Sequence, residues 1–434
     1  METTDAAVNA KTTRPCPQCG STVPVCERYV DWCAACDWNV DPGAPDPRRG
    51  RIAAARRRLA QGFGEQLVAG LEQTAGSAPP ARDVSTLLAL GIALLVHSVT
   101  VLLVVGGVLL VVLGWDTGVQ PVVGVLLLAI AAVLRPRPGR LPKDALVLYR
   151  ADAPALFALI DEVGAAVGTH GVHAVVVDAE ANASVTTYGP RGRRVMFLGL
   201  GLWEILRPQE RVALLGHELG HFSHGDVRRA WITAWALNAL SVWHYTLAPT
   251  PAVKLLDRFV NAATFLPRWG VYGLILLLDR LTLRASLRAE YLADASAARA
   301  GSTQGAVGLM DRLLVTESVD AELRRQAVAA RMRGGRDGRE ARLAAEEGLW
   351  ERLAERIGDF PEREFERLRR VSALRGHCVD STHPPTHLRR RHAAAAAAGP
   401  ALVSYDDSRA ALLAAELAPA RAALARMVIS DYAG

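Results

Sequence analysis

The feature that most constrains the fold is a long apolar run without charges. From Val84 to Trp115 the 434-residue chain carries no Asp, Glu, Lys or Arg, and a second apolar run extends from Val119 to Leu134. About 20 apolar residues in a helix are enough to span a hydrocarbon core of ~30 Å. The first run therefore predicts a transmembrane helix. The second run, which is near the lower length limit, predicts a second helix that crosses the membrane in the opposite direction. We expect residues 84–134 to form a transmembrane hairpin with Asp116 in its turn.

The distribution of arginine predicts the orientation of this hairpin. Arginines are dense from Arg48 to Arg58 and again from Arg135 to Lys143, whereas the turn carries only an acid. The positive-inside bias then puts both ends of the hairpin in the cytoplasm. Arginines 48–58 would also suit a solvated helix face or nucleic-acid binding, but with the membrane accounting for them we do not expect nucleic acid as a partner. Residues 1–10 lack the apolar core of a signal peptide, so we expect residues 16–36 to stay in the cytosol, where thiols remain reduced and can bind metal. From the apolar runs we expect an integral membrane protein, in a bacterial cell membrane.

Two cysteine pairs near the N-terminus have the spacing of a structural zinc site. Each pair is a CxxC motif, and four thiolates in this pattern can surround one zinc ion as a tetrahedron. The pairs are Cys16 with Cys19 and Cys33 with Cys36. Redox dithiols are the alternative, but no βαβ pattern surrounds the motifs. Residues 1–41 are therefore predicted to be a zinc ribbon, and we expect Cys26 and Cys378 to be ordinary small residues.

Residues 144–200 have the pattern of a folded α/β segment. Helical periodicity runs from Ala153 to Val167, and β-branched residues favour strands over 172–178, 183–187 and 195–198. We expect a small antiparallel sheet that precedes a helix entered at Pro208.

That helix carries an HExxH motif, from His217 to His221. Histidines at positions i and i+4 project from one face and can share a zinc ion, while Glu218 is rotated about 100° and can face a water on that metal. A catalytic zinc needs a further protein ligand. The metzincin spacing is excluded because residue 227 is Val, and His224 lies too far along the helix to share one ion with both motif histidines.

Glu290 is the better candidate for the third ligand, with Asp294 one helical turn later. Asp294 could then accept a hydrogen bond from a zinc-bound histidine. The spacing alone does not establish either role, since acidic pairs at i and i+4 are commonly solvated.

Together these motifs give the chain a family resemblance. It resembles the membrane zinc-protease family that includes the HtpX heat-shock proteases and the CAAX prenyl endopeptidases. The matching features are Asn182 and Ala183 in a strand, HELGH at 217–221, Asp226, EYLAD at 290–294, and the segment Ser381 to Pro385. They extend in order over residues 136–391, although residues 300–375 match poorly, and the zinc ribbon is an addition.

The resemblance implies a role for each of these residues. His217, His221 and Glu290 would bind the catalytic zinc, Glu218 would be the general base, and Asp294 would lie behind the ligands. We expect an extended substrate to add to the sheet edge near Asn182 and Ala183. His383 is either an oxyanion-stabilising residue or part of a loop-stabilising His-Pro turn.

The predicted fold class is a mainly α membrane protein. It combines the transmembrane hairpin with an α+β zincin-like metalloprotease domain, built from a small sheet and the HExxH helix, and the N-terminal zinc ribbon. The predicted units are the ribbon (1–41), a linker and basic juxtamembrane helix (42–83), the hairpin (84–134), the peptidase domain (135–392) and a helical tail (393–434). Residues 231–278 are either a further membrane hairpin or an interfacial, half-inserted one, and the helical stretch after Gly301 is expected to be largely solvated.

The sequence therefore predicts a membrane-embedded zinc endopeptidase with two Zn²⁺ ions, one catalytic and one structural. Its ribbon and active site would face the cytoplasm, and its substrates would be polypeptides, including membrane proteins under quality control or processing. One alternative is a CAAX-type prenyl-peptide protease. Another is a non-catalytic membrane adaptor in which the ribbon binds a partner protein. The intact HELGH motif argues against the adaptor, because a scaffold has no need for Glu218. The partner of the ribbon is not identified by the sequence.

Overall fold

The computed structural model of the protein describes most of the chain, over the ranges 12–26, 28–43, 84–115, 118–135, 140–189, 191–223, 227–251, 254–332, 338–375, 383–395 and 399–431. The basic segment before the first apolar run lies outside these ranges, as do His224, Asp226, Cys378, Ser381 and Thr382.

The N-terminal unit is a small ribbon. Strands β1 (Thr12–Pro15) and β2 (Thr22–Val25) pair antiparallel, and a cysteine-bearing turn joins them. A second cysteine-bearing turn follows β2, and the sulfur atoms of both turns lie within 4.8 Å of one another. The prediction of a ribbon is confirmed by this cluster of four thiols, which are those of Cys16, Cys19, Cys33 and Cys36.

Two helices follow the ribbon, α1 (Val84–Leu113) and α2 (Val119–Leu134). A Cβ atom added to Gly124 would lie 2.7 Å from the carbonyl oxygen of Gly107, so the two helices touch where neither has a side chain. Such small-residue contacts are typical of helices that pack within a membrane. Among the described helices, α1 is long and apolar enough to cross a membrane, judged by length and composition alone. Helix α2 is also apolar but has only 16 residues.

The region after α2 opens with a four-stranded sheet. Its strands are β3 (Leu146–Leu148), β4 (Ala174–Asp178), β5 (Ala183–Tyr188) and β6 (Arg193–Gly199), in the order β3-β4-β6-β5. The expected antiparallel sheet is wrong in one respect, because β4 and β6 are parallel. After β4 the chain passes to the edge and forms β5 there. Strand β6 then returns between them in the direction of β4.

Helices pack on this sheet and form the main core. Helix α3 (Pro154–Val167) begins at its proline and buries Leu156, Phe157 and Ile160. Helix α4 (Leu200–Trp203) leads into α5 (Pro208–Ser223), which carries the HExxH motif and is buried along most of its length.

Two further helices connect the core to the apolar helices α1 and α2. Helix α6 (Val227–Thr246) packs on α1, and the Trp243 indole N–H donates to the carbonyl oxygen of Leu134 at 2.8 Å. Helix α7 (Leu255–Gly301) has 47 residues and is therefore about 70 Å long. Its first half exposes large apolar side chains, whereas its second half enters the core. The apolar stretch 269–278 is thus part of one long helix.

Seven helices among the described residues complete the region: α8 (Thr303–Leu313), α9 (Thr316–Met332), α10 (Gly338–Glu346), α11 (Leu349–Gly358), α12 (Glu362–Arg375), α13 (Thr386–Ala395) and α14 (Asp407–Asp431). The last helix is not a solvated tail, since Leu413, Leu417 and Val428 are buried in the main core. The Glu416 carboxylate also accepts hydrogen bonds from the backbone N–H of Ala155 and Leu156, at 2.6 and 2.8 Å. A carboxylate there stabilises the positive end of α3.

Candidate active site

The HExxH histidines lie on one face of α5. The rings of His217 and His221 meet edge to face, with centroids 4.9 Å apart, as expected for residues one turn apart. His217 is buried, and His221 is partly exposed. Both imidazoles face the second half of α7.

Glycines allow α5 to approach α7 closely. A Cβ atom on Gly220 would lie 3.0 Å from Cα of Ala293, and one on Gly216 would lie 2.9 Å from Cβ of Ala300. Side chains at these two positions would push the helices apart. The short distance between the helix axes lets side chains of α7 reach the histidines.

Glu290 of α7 lies between the two histidines. Its Oε2 is 3.7 Å from Nε2 of His217, and its Oε1 is 3.7 Å from Nε2 of His221. The carboxylate is buried, although it is far from both histidines along the chain. The structure thus brings together the three residues that the sequence analysis grouped.

His383, which precedes α13, is a fourth residue at this point. Its Nε2 lies 3.4 Å from Oε2 of Glu290. His217, Glu290 and His383 form a group whose potential ligand atoms all lie within 4.8 Å of one another. His221 is outside that group, although it contacts the other oxygen of the same carboxylate.

The chemistry of these donors fits a zinc ion. Oε2 of Glu290 is buried and has no hydrogen-bond partner among the described residues, although three imidazole nitrogens surround its carboxylate. Nη2 of Arg389 is 3.9 Å from this oxygen, but its hydrogen bond goes to Asp294. A metal ion would supply the direct partner that a buried anionic oxygen needs. Burial, with the charges of His217 and His383, lowers the pKa of His221 to about 3. His221 is therefore neutral, which is the form that binds metals.

Asp294 lies behind the histidine pair. Its Oδ1 is 3.0 Å from Nδ1 of His217, and the residue is fully buried. A hydrogen bond from Nδ1–H fixes the tautomer in which Nε2 of His217, the nitrogen that faces Glu290, carries no proton. This is the contact predicted for Asp294.

Arg389 of α13 is the residue that the sequence analysis missed. Its Nη2 donates to Oδ1 of Asp294 at 2.7 Å, and its Nε donates to Oδ2 at 3.0 Å. Burial opposes ionisation of Asp294, but the Arg389 guanidinium and the His217 hydrogen bond outweigh it and hold the pKa of that carboxyl below its usual range. The signal was present but not specific, because Arg389 is the first of three consecutive arginines.

Glu218 follows the first histidine and is 5% exposed. Its carboxylate is therefore shielded from bulk solvent. A buried carboxylate beside potential metal ligands is the arrangement expected of a general base.

The sheet edge predicted to hold substrate is the outer side of β5. In the described part of the chain β5 pairs with β6 and with no other strand. The N–H of Gly199 donates to the carbonyl oxygen of Asn182 at 3.0 Å, so these two residues form a hydrogen-bonded pair. Because such pairs alternate in antiparallel ladders, Val185 and Thr187 direct their main-chain groups away from β6.

Ala183 has the same orientation but a different environment. The side-chain oxygen of Asn182 accepts a hydrogen bond from the Ala183 N–H at 2.9 Å. The outward N–H of Ala183 is therefore already occupied by Asn182, and the first outward N–H that is open to an added strand is that of Val185.

An HExxH helix, a carboxylate from a second helix between its two histidines, and an open edge strand define a zincin-type metallopeptidase. The chain belongs to peptidase family M48, whose sequence pattern matches residues 151–397, more than half of the chain. This confirms the resemblance to the HtpX and CAAX-protease group, and members of the family are zinc metallopeptidases. No curated protein and no solved structure matches the chain.

Proposed function

We propose that the protein is a membrane-anchored zinc endopeptidase, with His217, His221 and Glu290 as the ligands of the catalytic metal. The observation that carries this proposal is the position of the Glu290 carboxylate, 3.7 Å from an Nε2 atom of each motif histidine. Zinc bound there would act as a Lewis acid on a carbonyl or water oxygen. The remaining steps belong to side chains of the protein.

Glu218 is the proton carrier in this proposal. Its carboxylate takes a proton from the attacking water and returns it to the amine that leaves when the peptide bond breaks. Burial of Glu218 supports this role, because a carboxylate shielded from bulk water does not lose the proton to solvent before the amine takes it. Asp294 and Arg389 hold His217 in one tautomer throughout.

We assign His383 to the substrate. Its Nε2 is close to the Glu290 carboxylate and its side chain is mostly buried, so it can donate a hydrogen bond to negative charge that develops on the substrate oxygen. Its position also fits a fourth ligand. Metal content separates the two roles, because His383→Ala would lower zinc affinity strongly only if the residue is a ligand.

An extended substrate would bind along β5. The main-chain groups of Val185 and Thr187 face the open edge, and an added strand would use them for hydrogen bonds that do not depend on substrate sequence. Such binding suits an enzyme that cleaves unfolded or misfolded chains. It supports a role in membrane-protein quality control or processing.

We also propose that the membrane unit consists of α1 and α2 together with α6 and the first half of α7. The four helices share apolar contacts, and α7 exposes Leu255, Phe259, Leu266 and Trp269 on its outer face. The arginine-rich ends of the first hairpin support a cytoplasmic active site in a bacterial cell membrane. Protease protection of sealed vesicles would report this orientation.

The ribbon would hold a second, structural zinc ion. The sulfur atoms of Cys16 and Cys36 are 3.6 Å apart, as are those of Cys19 and Cys33. A zinc tetrahedron with bonds of about 2.3 Å has S–S edges of about 3.8 Å. We therefore expect two zinc ions for each chain of the purified protein.

Parallel assays test the substrate class. The purified protein in detergent or lipid nanodiscs is incubated with casein, with a misfolded membrane protein and with a farnesylated CAAX peptide, each with Glu218→Gln as the matched control. We expect Glu218-dependent cleavage of the first two substrates. Cleavage of the farnesylated peptide alone would favour the prenyl-protease alternative, and cleavage of none would favour the adaptor.

A further inference from the structure

The ribbon is seated on one face of helix α12. Trp32 of the ribbon is 1% exposed, and the guanidinium carbons of Arg363 and Arg370 each lie 4.9 Å from its ring centroid. Arg363 also donates to the carbonyl oxygen of Trp32. A tryptophan between two arginines in a buried contact is held by cation–π attraction as well as by packing.

The second cysteine turn, from Cys33 to Asp37, contacts α12 directly through Arg370. Nη1 of Arg370 donates at 2.7 Å both to the carbonyl oxygen of Ala34, which lies between Cys33 and Cys36, and to Oδ1 of Asp37. The Asp37 N–H donates to the carbonyl oxygen of Cys33 at 3.0 Å. The two acceptors of Arg370 are therefore fixed by the turn that carries two of the metal-binding thiols.

Asp37 occupies a special backbone position. Its φ is 58°, in the left-handed region, where non-glycine residues are uncommon. Gly20 occupies the equivalent position of the first cysteine turn, with φ 75° and an N–H that donates to the carbonyl oxygen of Cys16. The second turn thus carries an aspartate where the first carries glycine, and that carboxylate pairs with Arg370.

Two more arginines extend the contact. Arg367 donates to the carbonyl oxygen of Val40 at 2.9 Å, and Nε of Arg375 donates to Asp41 at 2.6 Å. Residues 363, 367 and 370 recur at helical spacing on one face of α12. We call Arg363, Arg367, Arg370 and Arg375 the arginine face.

Helix α12 is linked on another side to the helix that carries Arg389. Arg369 of α12 donates to both oxygens of Asp311, at 2.9 and 2.7 Å, and Arg390 of α13 donates to Oδ1 of the same carboxylate at 2.7 Å. The neighbour of Arg390 is Arg389, which binds Asp294 beside His217. Asp311 therefore joins the ribbon-bearing helix to the helix that supports the active site.

The ribbon needs its metal to make this contact. Its small buried cluster consists of Cys16, Val23 and Cys33, so two of the three residues are potential metal ligands. A unit with so little apolar core does not hold its fold without a metal or other cross-link.

We infer that the metal-loaded ribbon is an intramolecular ligand of the arginine face, and that through Asp311 it holds α13 and Arg389 in position at the peptidase site. The ribbon's partner is thus the protein's own helix α12. The effect of this docking on catalysis rests on the proposed function, whereas the docking of the ribbon on α12 does not.

Hydrogen–deuterium exchange on the full chain in detergent micelles tests the inference, with zinc content and casein cleavage measured on the same samples. Two variants break the contact differently: Cys33→Ser with Cys36→Ser removes the metal, and Asp37→Gly removes the carboxylate while keeping a residue suited to the left-handed turn. We expect exchange in residues 362–375 and 386–395 to quicken roughly tenfold or more, as for the loss of charge-assisted hydrogen bonds. Cys26→Ser, outside the two turns, should leave exchange and zinc content unchanged.

A double-mutant cycle of Asp37→Gly with Arg370→Gln isolates the pair, and the two changes should not be additive. The inference is overturned if ribbon zinc is lost and exchange in 362–375 stays the same, or if exchange rises in 362–375 but not in 386–395. Exchange is read equally well in the Glu218→Gln background. A protein that cleaves nothing but shows the predicted exchange would therefore contradict the proposed function and leave the docking established.

Discussion

Arg389 and Asp294 form a bidentate ion pair that is buried at the back of the active site. Nη2 and Nε of the guanidinium donate to the two carboxylate oxygens at 2.7 and 3.0 Å, and neither residue is more than 1% exposed. Oδ1 of Asp294 also lies 3.0 Å from Nδ1 of His217. Nη2 of Arg389 also lies 3.3 Å from both ring nitrogens of His217, so Arg389 is a positioning residue that acts on His217 by direct contact as well as through Asp294.

Arg389→Lys should separate charge from geometry. Lysine keeps the positive charge but cannot donate two parallel hydrogen bonds, so His217 should be held less firmly. We expect zinc affinity or kcat to fall by about 10–100-fold, the usual range for residues that support a metal ligand. Arg389→Met should be worse, because a buried Asp294 without its partner costs about 3–5 kcal/mol of folding free energy. Zinc titration and thermal unfolding of both variants check this, and Arg389→Lys with wild-type affinity and kcat would refute the positioning role.

Removal of Glu290, the proposed third ligand, should have a different effect from removal of Asp294. Glu290→Ala deletes the carboxylate that faces both motif histidines, so the catalytic site should lose its zinc while the ribbon retains one ion. Asp294→Asn keeps a hydrogen-bonding side chain and should be milder, by about 10–100-fold in affinity or activity. Metal analysis of the purified variants gives the ranking. Full zinc content in Glu290→Ala would mean that another residue, with His383 the first candidate, is the third ligand.

The close contact between α5 and α7 can be tested by comparing two glycine-to-alanine variants, one at the contact and one away from it. Gly220→Ala would put a Cβ atom 3.0 Å from Cα of Ala293, so the two helices would have to separate. We expect a loss of about 1–3 kcal/mol in the free energy of unfolding, as for other overpacked cores, together with weaker zinc binding. Gly270→Ala in α7 is the matched control, since its Cβ would meet no atom within 4 Å. Equal thermal stability of the two variants would contradict this account of the helix contact.

The sequence predicted the parts of the site that are local. His217, Glu218 and His221 follow from helical spacing alone, and the ribbon follows from two CxxC motifs. Glu290 required a family resemblance, because no periodicity relates residues on different helices. Arg389 was missed for the same reason, and nothing in the sequence distinguishes it from the two arginines that follow it. The seat of the ribbon on α12 depends on Trp32 and Asp37, whose partners lie more than 300 residues away in the chain.

Errors in the fold had equally specific causes. The direction of β6 relative to β4 depends on the order in which strands join the sheet, and strand patterns carry no information about that order. The C-terminal helix α14 carries no chemical motif, so the sequence predicts a solvated helical tail there. Leu413, Leu417 and Leu424 nevertheless recur on one face and are buried in the core.

The open edge of β5 makes a prediction about substrate binding. Val185→Pro removes a main-chain N–H that faces outward, and proline is tolerated at such edge positions. We expect kcat/KM for a long peptide to fall by about tenfold, in line with the loss of one or two hydrogen bonds, with little change in unfolding temperature. Thr186→Pro removes an N–H within the β5–β6 ladder and should instead destabilise the fold. A Val185→Pro enzyme with unchanged kcat/KM would exclude this edge as the substrate site.

The central claim is that this chain hydrolyses peptide bonds with Glu218 as the proton carrier beside a zinc ion held by His217, His221 and Glu290. Its most direct test compares casein cleavage and zinc content of the wild-type protein with those of Glu218→Gln, both purified in the same detergent. We predict that the wild type cleaves casein, that the variant loses at least about 10²–10⁴-fold in rate, and that both hold two zinc ions. Cleavage at similar rates by the two proteins, or a wild type that holds both ions and cleaves nothing, would contradict the account.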